Sequence, residues 1–369
     1  REIRVFLCGY CGLVQSLPRA DTGARLPPAV SGGADWGNVR YGKGFRTPIA
    51  LDAIARHADL TAPLCVLDVG SNRGRFAKSF LDAASQANLV AVEPDERVAG
   101  SCADFPRCEL IGARIEQTAF ADESFDIVHS CHTVEHLAHP LTTLRDHARV
   151  LKPGGILVLD CPNIALIGAE DVIEEWFIDK HLTHFSSRTL LRMLKEAGFE
   201  ILEPPVSEDR ENLFVVARKS APADGETAAD PSEVAAAAAL ISTYERNLAR
   251  NRAALKEAAA ELAGLAPKGV AMWGAGRIFD ALVRHGGFEA DSLATLIDIH
   301  LKGLVGERFG RPLEGPEALC RIHPGVVVVM SRGFAQEIET EARNLAPQAE
   351  IIRYRDLLDR ALKRTAAKY

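Results

Sequence analysis

The chain of 369 residues is 47% hydrophobic and 25% charged, with a formal net charge of −7. These values belong to a folded globular protein and exclude extended disorder and collagen-like sequence; at about 100–200 residues per domain the length predicts two or three domains. No run of about 18 uninterrupted apolar residues marks a membrane span, and the absence of a strongly basic domain argues against nucleic-acid binding.

The sequence begins at Arg1 and not at a methionine, which points to residues removed upstream, and Arg1–Val5 carries no signal-peptide core. Cys65, Cys102, Cys108, Cys131, Cys161 and Cys320 are scattered and read as small buried residues in a reducing cytosol, so a cytoplasmic location is expected. Cys8 and Cys11 alone form a CxxC pair.

Residues 1–45 are rich in Gly and Pro and read as a small accessory region. Residues 46–219 alternate strand-like and helix-like stretches. The strand candidates are Leu64–Asp68, Leu89–Glu93, Ile127–Ser130, Ile156–Asp160 and Leu213–Ala217. This alternation predicts an α/β domain, a mostly parallel sheet with helices on both faces. Residues 220–266 form a polar linker and a long helix, with Ser232 as its expected cap and Glu233 in its first turn. Ile241, Leu248, Leu255 and Leu262 recur every seven residues. The stripe predicts a helix packed along another element, with an intermolecular coiled coil through residues 233–265, and hence an oligomer, as the alternative. Residues 267–369 restart the α/β pattern as a second, smaller domain, with strands Val270–Trp273, Leu293–Ile297 and Val326–Met330.

Val66-Leu67-Asp68-Val69-Gly70-Ser71-Asn72-Arg73-Gly74 joins the first strand of the larger domain to a helix. Glycines here let the backbone turn sharply and approach a ligand, and the helix start offers free N–H groups. Glu93 ends the next strand, where a carboxylate can accept both hydroxyls of a ribose. The Gly-Lys-Ser/Thr of a phosphate-binding loop is absent. Ser124-Phe125-Asp126-Ile127-Val128, Val134-Glu135-His136 and Leu151-Lys152-Pro153-Gly154-Gly155 follow in order.

Together these segments resemble the class I methyltransferases that use S-adenosylmethionine, over about residues 60–219. The resemblance implies a Rossmann-like sheet. It also implies that Asp68, Gly70, Ser71 and Gly74 surround the amino-acid end of the cofactor, that Glu93 holds its ribose, that the backbone of Ile115 meets its adenine, and that His132 lines the pocket. Asn72 stands where a middle glycine is common, and Arg114 where the family usually has Asp.

The flanks narrow the resemblance. Arg4-Val5-Phe6-Leu7-Cys8-Gly9-Tyr10-Cys11-Gly12-Leu13-Val14-Gln15 is similar to the second half of the zinc ribbon that precedes the cofactor domain of nucleotide-sugar C-methyltransferases. Cys8 and Cys11 would then be two of the four ligands that tetrahedral Zn²⁺ requires. Trp273-Gly274-Ala275-Gly276, Ile297-Asp298, Lys302-Gly303 and Glu337-Ile338 follow the order of that family's C-terminal Rossmann-like domain, which implies a contribution to the substrate cleft. A nicotinamide cofactor is not expected, because Phe279 replaces a third glycine; Asp298 would be its ribose acid.

The implied acceptor is a nucleotide-linked keto-deoxysugar. Its proton would go to a base with a pKa near neutrality, and His181 is the expected base. The family's Tyr-His-Glu-His-Leu run is here Ile178-Asp179-Lys180-His181-Leu182, so only the last histidine matches. Tyr41 is a second catalytic candidate, and Arg40, Lys43 and Arg46 are candidates to neutralise a substrate diphosphate. Two alternatives remain open: an O-methyltransferase acting on a surface glycan or secondary metabolite, and a scaffold that binds cofactor without turnover. His132-x-x-Glu135-His136 has the spacing of an inverted zinc-protease motif, but lies inside the methyltransferase pattern and is read as part of it. His129, His139 and His147 are read as solvated or helix-capping.

Overall fold

The computed structural model describes residues 3–18, 46–95, 105–177, 181–206, 211–221, 228–303 and 305–367. They form two compact units. Among the described residues no helix is long and apolar enough to cross a membrane.

The first unit comprises the described residues within 1–33, 43–166 and 177–240. Its elements are β1 (Ile3–Leu7), β2 (Val14–Pro18), α1 (Arg46–His57), β3 (Cys65–Val69), α2 (Arg75–Ala83), β4 (Asn88–Val92), β5 (Cys108–Ile111), β6 (Phe125–Cys131), α3 (Pro140–Val150), β7 (Leu151–Pro162), β8 (Thr183–His184), α4 (Ser187–Glu196), β9 (Phe199–Glu203) and β10 (Asn212–Lys219). Seven strands make one sheet in the order β5-β4-β3-β6-β7-β10-β9. The first five run parallel, and β10 is antiparallel to both neighbours. The chain order reverses between β3 and β6, so the crevice at the carboxyl ends of β3 and β4 lies beside a topological switch point, where open α/β sheets take their ligands.

β3 is apolar on both sides, as a central parallel strand must be. Val66 packs on one face with Phe76, Phe80 and Ile54 of α1 and α2. Leu67 and Val69 pack on the other with Leu144, Ala148, Leu190 and Leu194 of α3 and α4. Helices on both faces leave only the strand ends open to a ligand. Emptying one such core position, as in Phe80→Ala, would cost about 3–5 kcal/mol.

A second sheet, β1-β2-β8, is antiparallel and small. Val14 pairs with His184 and Gln15 with Thr183. The hairpin that carries Cys8 and Cys11 therefore also holds the segment containing His181.

The second unit holds residues 167–176 and 241–369, with 34–42 outside the described residues. Helix α5 (Pro231–Leu265) gives its residues from Ile241 onward to this unit. The remaining elements are β11 (Val270–Trp273), α6 (Arg277–Gly286), β12 (Thr295–Ile297), β13 (Glu307–Arg308), β14 (Arg311–Glu314), α7 (Ala318–Ile322), β15 (Val326–Val329), α8 (Ala335–Leu345), β16 (Glu350–Arg353) and α9 (Tyr354–Ala366). The sheet order is β13-β14-β12-β11-β15-β16, parallel except for β13. Leu255 and Leu262 of α5 are buried in this unit's own core beside Phe279 and Leu358, which accounts for the C-terminal half of the heptad stripe; Ile241 and Leu248 are half-buried. The cap of α5 is Asp230 and not Ser232: Oδ1 of Asp230 accepts from Glu233 N at 3.1 Å and from Ser232 Oγ at 2.7 Å. Asp298, the candidate ribose acid, accepts from the backbone N–H groups of Ala275, His300 and Leu301, which ties both its oxygens to loop structure.

Candidate functional site

The turn after β3 is shaped by necessity. Gly70 has φ +75°, and a Cβ there would meet Thr133 Oγ1 at 2.2 Å. Gly74 (φ +70°) is the left-handed residue before α2. Asn72, in place of a glycine, also has a positive φ of 48°, a conformation that Asn tolerates better than most side chains. Gly70 N and Ser71 N both donate to Val92 O, at 2.9 and 3.2 Å, which stitches the turn to the end of β4.

Glu93 follows directly. Oε2 accepts from Asn72 N at 2.8 Å and Oε1 from Asp95 N at 2.9 Å. Burial raises its pKa above the ordinary carboxylate value, and these two N–H groups only partly offset that effect. A buried acid thus faces a glycine turn across the two strand ends. Asp68, on β3, is paired with His129 of β6, Nδ1 to Oδ1 at 2.7 Å. The His129 ring stacks on Phe76 with centroids 3.6 Å apart. The other oxygen of Asp68 is buried and has no hydrogen-bond partner among the described residues. His129 is therefore neither solvated nor a helix cap. His147 is buried as well, with its pKa pushed down to about 4 by burial, and His139 alone of the three is exposed.

At the end of β6, His132 takes φ 52°, and its N–H donates to Asp160 O at 2.7 Å. Burial lowers the pKa of His132. A short 3-10 turn, Val134–His136, then presents Glu135 and His136. Glu135 is 1% exposed. His132 Nδ1 stands 3.3 Å and His136 Nε2 3.8 Å from its Oε1. Burial opposes ionisation of Glu135, but these imidazoles and that of His181 overcome it and hold the carboxyl at about 2.

His181 arrives from a distant part of the chain. Leu182 N donates to Glu135 O at 2.8 Å, and Ser16 N to Leu182 O at 3.1 Å. The His136 and His181 rings lie 4.8 Å apart, centroid to centroid. Burial, with neighbouring His136, pushes the His181 pKa well below the ordinary imidazole value, so the ring is neutral near pH 7.

Other expected residues are placed as follows. Ser71 and Gly74 sit in the turn with Gly70, bonded to one another through Gly74 N to Ser71 O at 2.9 Å. Ile115 opens a 3-10 turn beyond β5, half-buried against the core. Cys8 and Cys11 face each other in the β1–β2 turn: backbone N–H groups of Tyr10 and Cys11 lower the Cys8 thiol, while burial raises that of Cys11. Arg46 is ion-paired with Asp160, so its charge is already engaged. Tyr41, Arg40, Lys43 and Ile178–Lys180 lie outside the described residues. Glu135, His136 and Thr133 were not among the candidates. Their signal was the His132-x-x-Glu135-His136 spacing.

The acid at one strand end and the glycine turn at the next leave two groups that could hold a cofactor: the Glu93 carboxylate, and the buried Asp68 oxygen beside the Cβ-free Gly70. Comparison with known proteins gives the same direction. Residues 43–203 match the family described as "Methyltransferase domain". An "Uncharacterized methyltransferase" of Mycolicibacterium vanbaalenii is 36% identical over 127 residues, 31% of this chain and 49% of that protein. A Mycobacterium leprae relative is 35% identical over 130 residues, 32% and 48% of the two. A Mycobacterium tuberculosis protein named "Probable S-adenosylmethionine-dependent methyltransferase" is 30% identical over 202 residues, 51% of this chain and 71% of that one. The chain spans about half the length of the first two relatives. Among solved structures, the Burkholderia thailandensis 1,6-didemethyltoxoflavin-N1-methyltransferase, with S-adenosylhomocysteine bound, is 17% identical at a TM-score of 0.42, over 56% of this chain and 96% of that one.

Proposed function

The chain belongs to the class I S-adenosylmethionine-dependent methyltransferases, and on that premise we propose that it transfers a methyl group from S-adenosylmethionine to a sugar at the crevice edged by β3, β4 and β6. The observation that supports the donor site is Glu93, buried and turned toward the Gly70–Gly74 turn, with Oε2 at 2.8 Å from Asn72 N; the sugar acceptor rests on the resemblance of the flanking regions. When bound, the donor supplies an electrophilic methyl carbon on a sulfonium. Glu93 accepts hydrogen bonds from the ribose, Gly70 and Ser71 give the donor room and backbone contact, Asp68 faces its amino group, and the Ile115 backbone and His132 border the rest. Holding acceptor and donor in line lowers the barrier by several kcal/mol through position alone.

For a carbon acceptor, a nucleotide-linked keto-deoxysugar, the neutral His181 ring takes the proton beside the keto group, with Tyr41 a second substrate-site residue. The support is the resemblance of the flanking regions: the Cys8–Cys11 hairpin, for which Zn²⁺ with two further ligands is part of this proposal, and the second α/β unit. An oxygen acceptor is the second reading, favoured by the meeting of Glu135, His136 and His181.

Calorimetry with S-adenosylmethionine and S-adenosylhomocysteine, on wild type and Glu93→Ala, tests the donor site; no heat with either ligand overturns it. Mass spectrometry with the donor and a pool of nucleotide-sugars then reads transfer. Loss of keto-sugar deuterium exchange in His181→Ala supports the carbon acceptor, transfer to non-keto sugars favours oxygen, and binding without turnover means a silent scaffold.

A further inference from the structure

We infer that Glu135, His136 and His181 bind a divalent transition-metal ion at the rim of the crevice, and that the ion's open positions take a hydroxyl oxygen of the methyl acceptor. Ion binding stands apart from the methyl-transfer reading; only the identity of what fills the open positions rests on it, and there on the oxygen acceptor in place of the carbon acceptor, for which His181 would be the base.

The three side chains each offer one ligand atom, and these atoms lie within 4.8 Å of one another. Ligands held at about 2.1 Å from one ion are separated by roughly 3–3.5 Å, so small side-chain rotations close the set. Glu135 is the second observation. Its side chain is 2% exposed, and neither oxygen has a hydrogen bond among the described residues. A buried carboxylate without hydrogen bonds is costly unless a cation or metal meets it. The nitrogens of His132 and His136 stand 3.3 and 3.8 Å from Oε1, ion-pair distances without hydrogen-bond geometry, so an ion would replace long contacts with short ones.

The frame is built to hold these groups. Leu182 N donates to Glu135 O, and His136 N donates to Thr133 O at 2.9 Å. Ser16 Oγ donates to His181 O at 2.5 Å. Two imidazoles and one carboxylate suit zinc, manganese, iron or cobalt, and three protein ligands leave positions open. An ion there acts as a Lewis acid on an acceptor hydroxyl. The hydroxyl proton leaves to water. The oxygen lone pair forms the bond to the methyl carbon, and the carbon–sulfur pair stays on sulfur, giving an ether and a neutral thioether. In this arrangement His181 is a ligand and not a base.

The test uses Co²⁺ on the full chain after chelator treatment, in a Cys8→Ser/Cys11→Ser/Cys131→Ser background that removes the thiols of the CxxC pair and of the neighbouring Cys131–His132–Asp160 cluster. Titration calorimetry and visible absorption should read one Co²⁺ per chain with d–d bands. His136→Ala and His181→Ala should each weaken binding at least as much as the about 10–100-fold that loss of an outer partner costs, and should abolish the bands. S-adenosylhomocysteine affinity, measured in parallel, should be unchanged, which shows that the variants are folded. Absence of Co²⁺ binding, or binding equal in wild type and both histidine variants, overturns the inference. If the wild-type chain binds Co²⁺ but no S-adenosylhomocysteine, the metal site stands and the methyl-transfer reading falls.

Discussion

Ser16 Oγ lies 2.9 Å from His184 Nε2 while donating its one proton to His181 O. The hydroxyl has no second proton to give, so His184 Nε2 must be the donor in this pair, which fixes the tautomer of a ring that burial holds neutral, its pKa near 4. One side chain of the N-terminal hairpin thereby sets the segment that brings His181 to Glu135. Ser16→Ala takes a buried partner from both groups and should destabilise the protein by about 1–3 kcal/mol in a urea titration. Unchanged stability would show that the Ser16 hydroxyl adds nothing to the β2–β8 backbone pairing that holds this segment.

Gly70 answers to two constraints at once, a positive φ and the approach of Thr133 Oγ1. Gly70→Ala should therefore weaken S-adenosylhomocysteine binding and lower stability by about 1 kcal/mol or more. Adding Thr133→Ala removes the Oγ1 contact and leaves a 3.3 Å approach to the remaining Cβ together with the backbone strain, so calorimetry should show partial recovery in the double variant. Full recovery would mean that the steric contact alone matters.

Much of the sheet was legible because its central strands are apolar runs bounded by turns. Leu89–Glu93 and Leu213–Ala217 fall within a few residues of β4 and β10. The edge strands β5 and β9 escaped. Cys108–Ile111 and Phe199–Glu203 are half-exposed and interrupted by Glu109, Glu200 and Glu203, so neither presents a continuous apolar run. The glycine turn and Glu93 could be read locally, since each follows a strand. The meeting of Glu135 with His181 could not, because it depends on β8 pairing with β2, and no sequence period encodes a contact between a hairpin and a remote two-residue strand. His129 was misread for a related reason: its partner, Asp68, lies on the neighbouring strand.

Glu93 predicts a pH dependence of donor binding. Burial raises its folded pKa above the ordinary 4.5, so the carboxylate that accepts ribose hydroxyls is lost earlier than usual as pH falls. Affinity for S-adenosylhomocysteine should decline on acidification before free carboxylates titrate. Glu93→Gln should bind about 10–100-fold more weakly, as loss of a charge-assisted hydrogen bond implies, and should lose that pH dependence. A wild-type affinity that falls no earlier on acidification than a free carboxylate titrates would remove Glu93 from the ribose site.

Two sets of buried groups shape the acid stability profile: histidines held neutral, among them His147, His181 and His184, and ionised carboxylates, Glu135 and Glu174. His147 is held neutral in the fold, its pKa pushed by burial from 6.5 to about 4. Between those values the unfolded chain binds the extra proton, so this contribution is complete above pH 6.5 and is lost as pH falls toward 4. Glu174 behaves differently. Burial opposes its charge, but Arg332 overcomes that and holds it near 2 against an ordinary 4.5. Arg332 Nη2 donates to Glu174 Oε2 at 2.9 Å and to Asp171 O at 2.8 Å. Its contribution is complete above pH 4.5 and is lost from there toward 2. Each window is worth on the order of 3 kcal/mol. Urea midpoints measured from pH 7.5 to 3 should fall in two steps. His147→Leu should shrink the upper step, which His181 and His184 share, and leave the lower. Arg332→Met, which strands a buried carboxylate, should destabilise by about 3 kcal/mol at neutral pH and shrink the lower step, which Glu135 shares. A single step near pH 4.5, unaltered by His147→Leu, would contradict the assignment of His147.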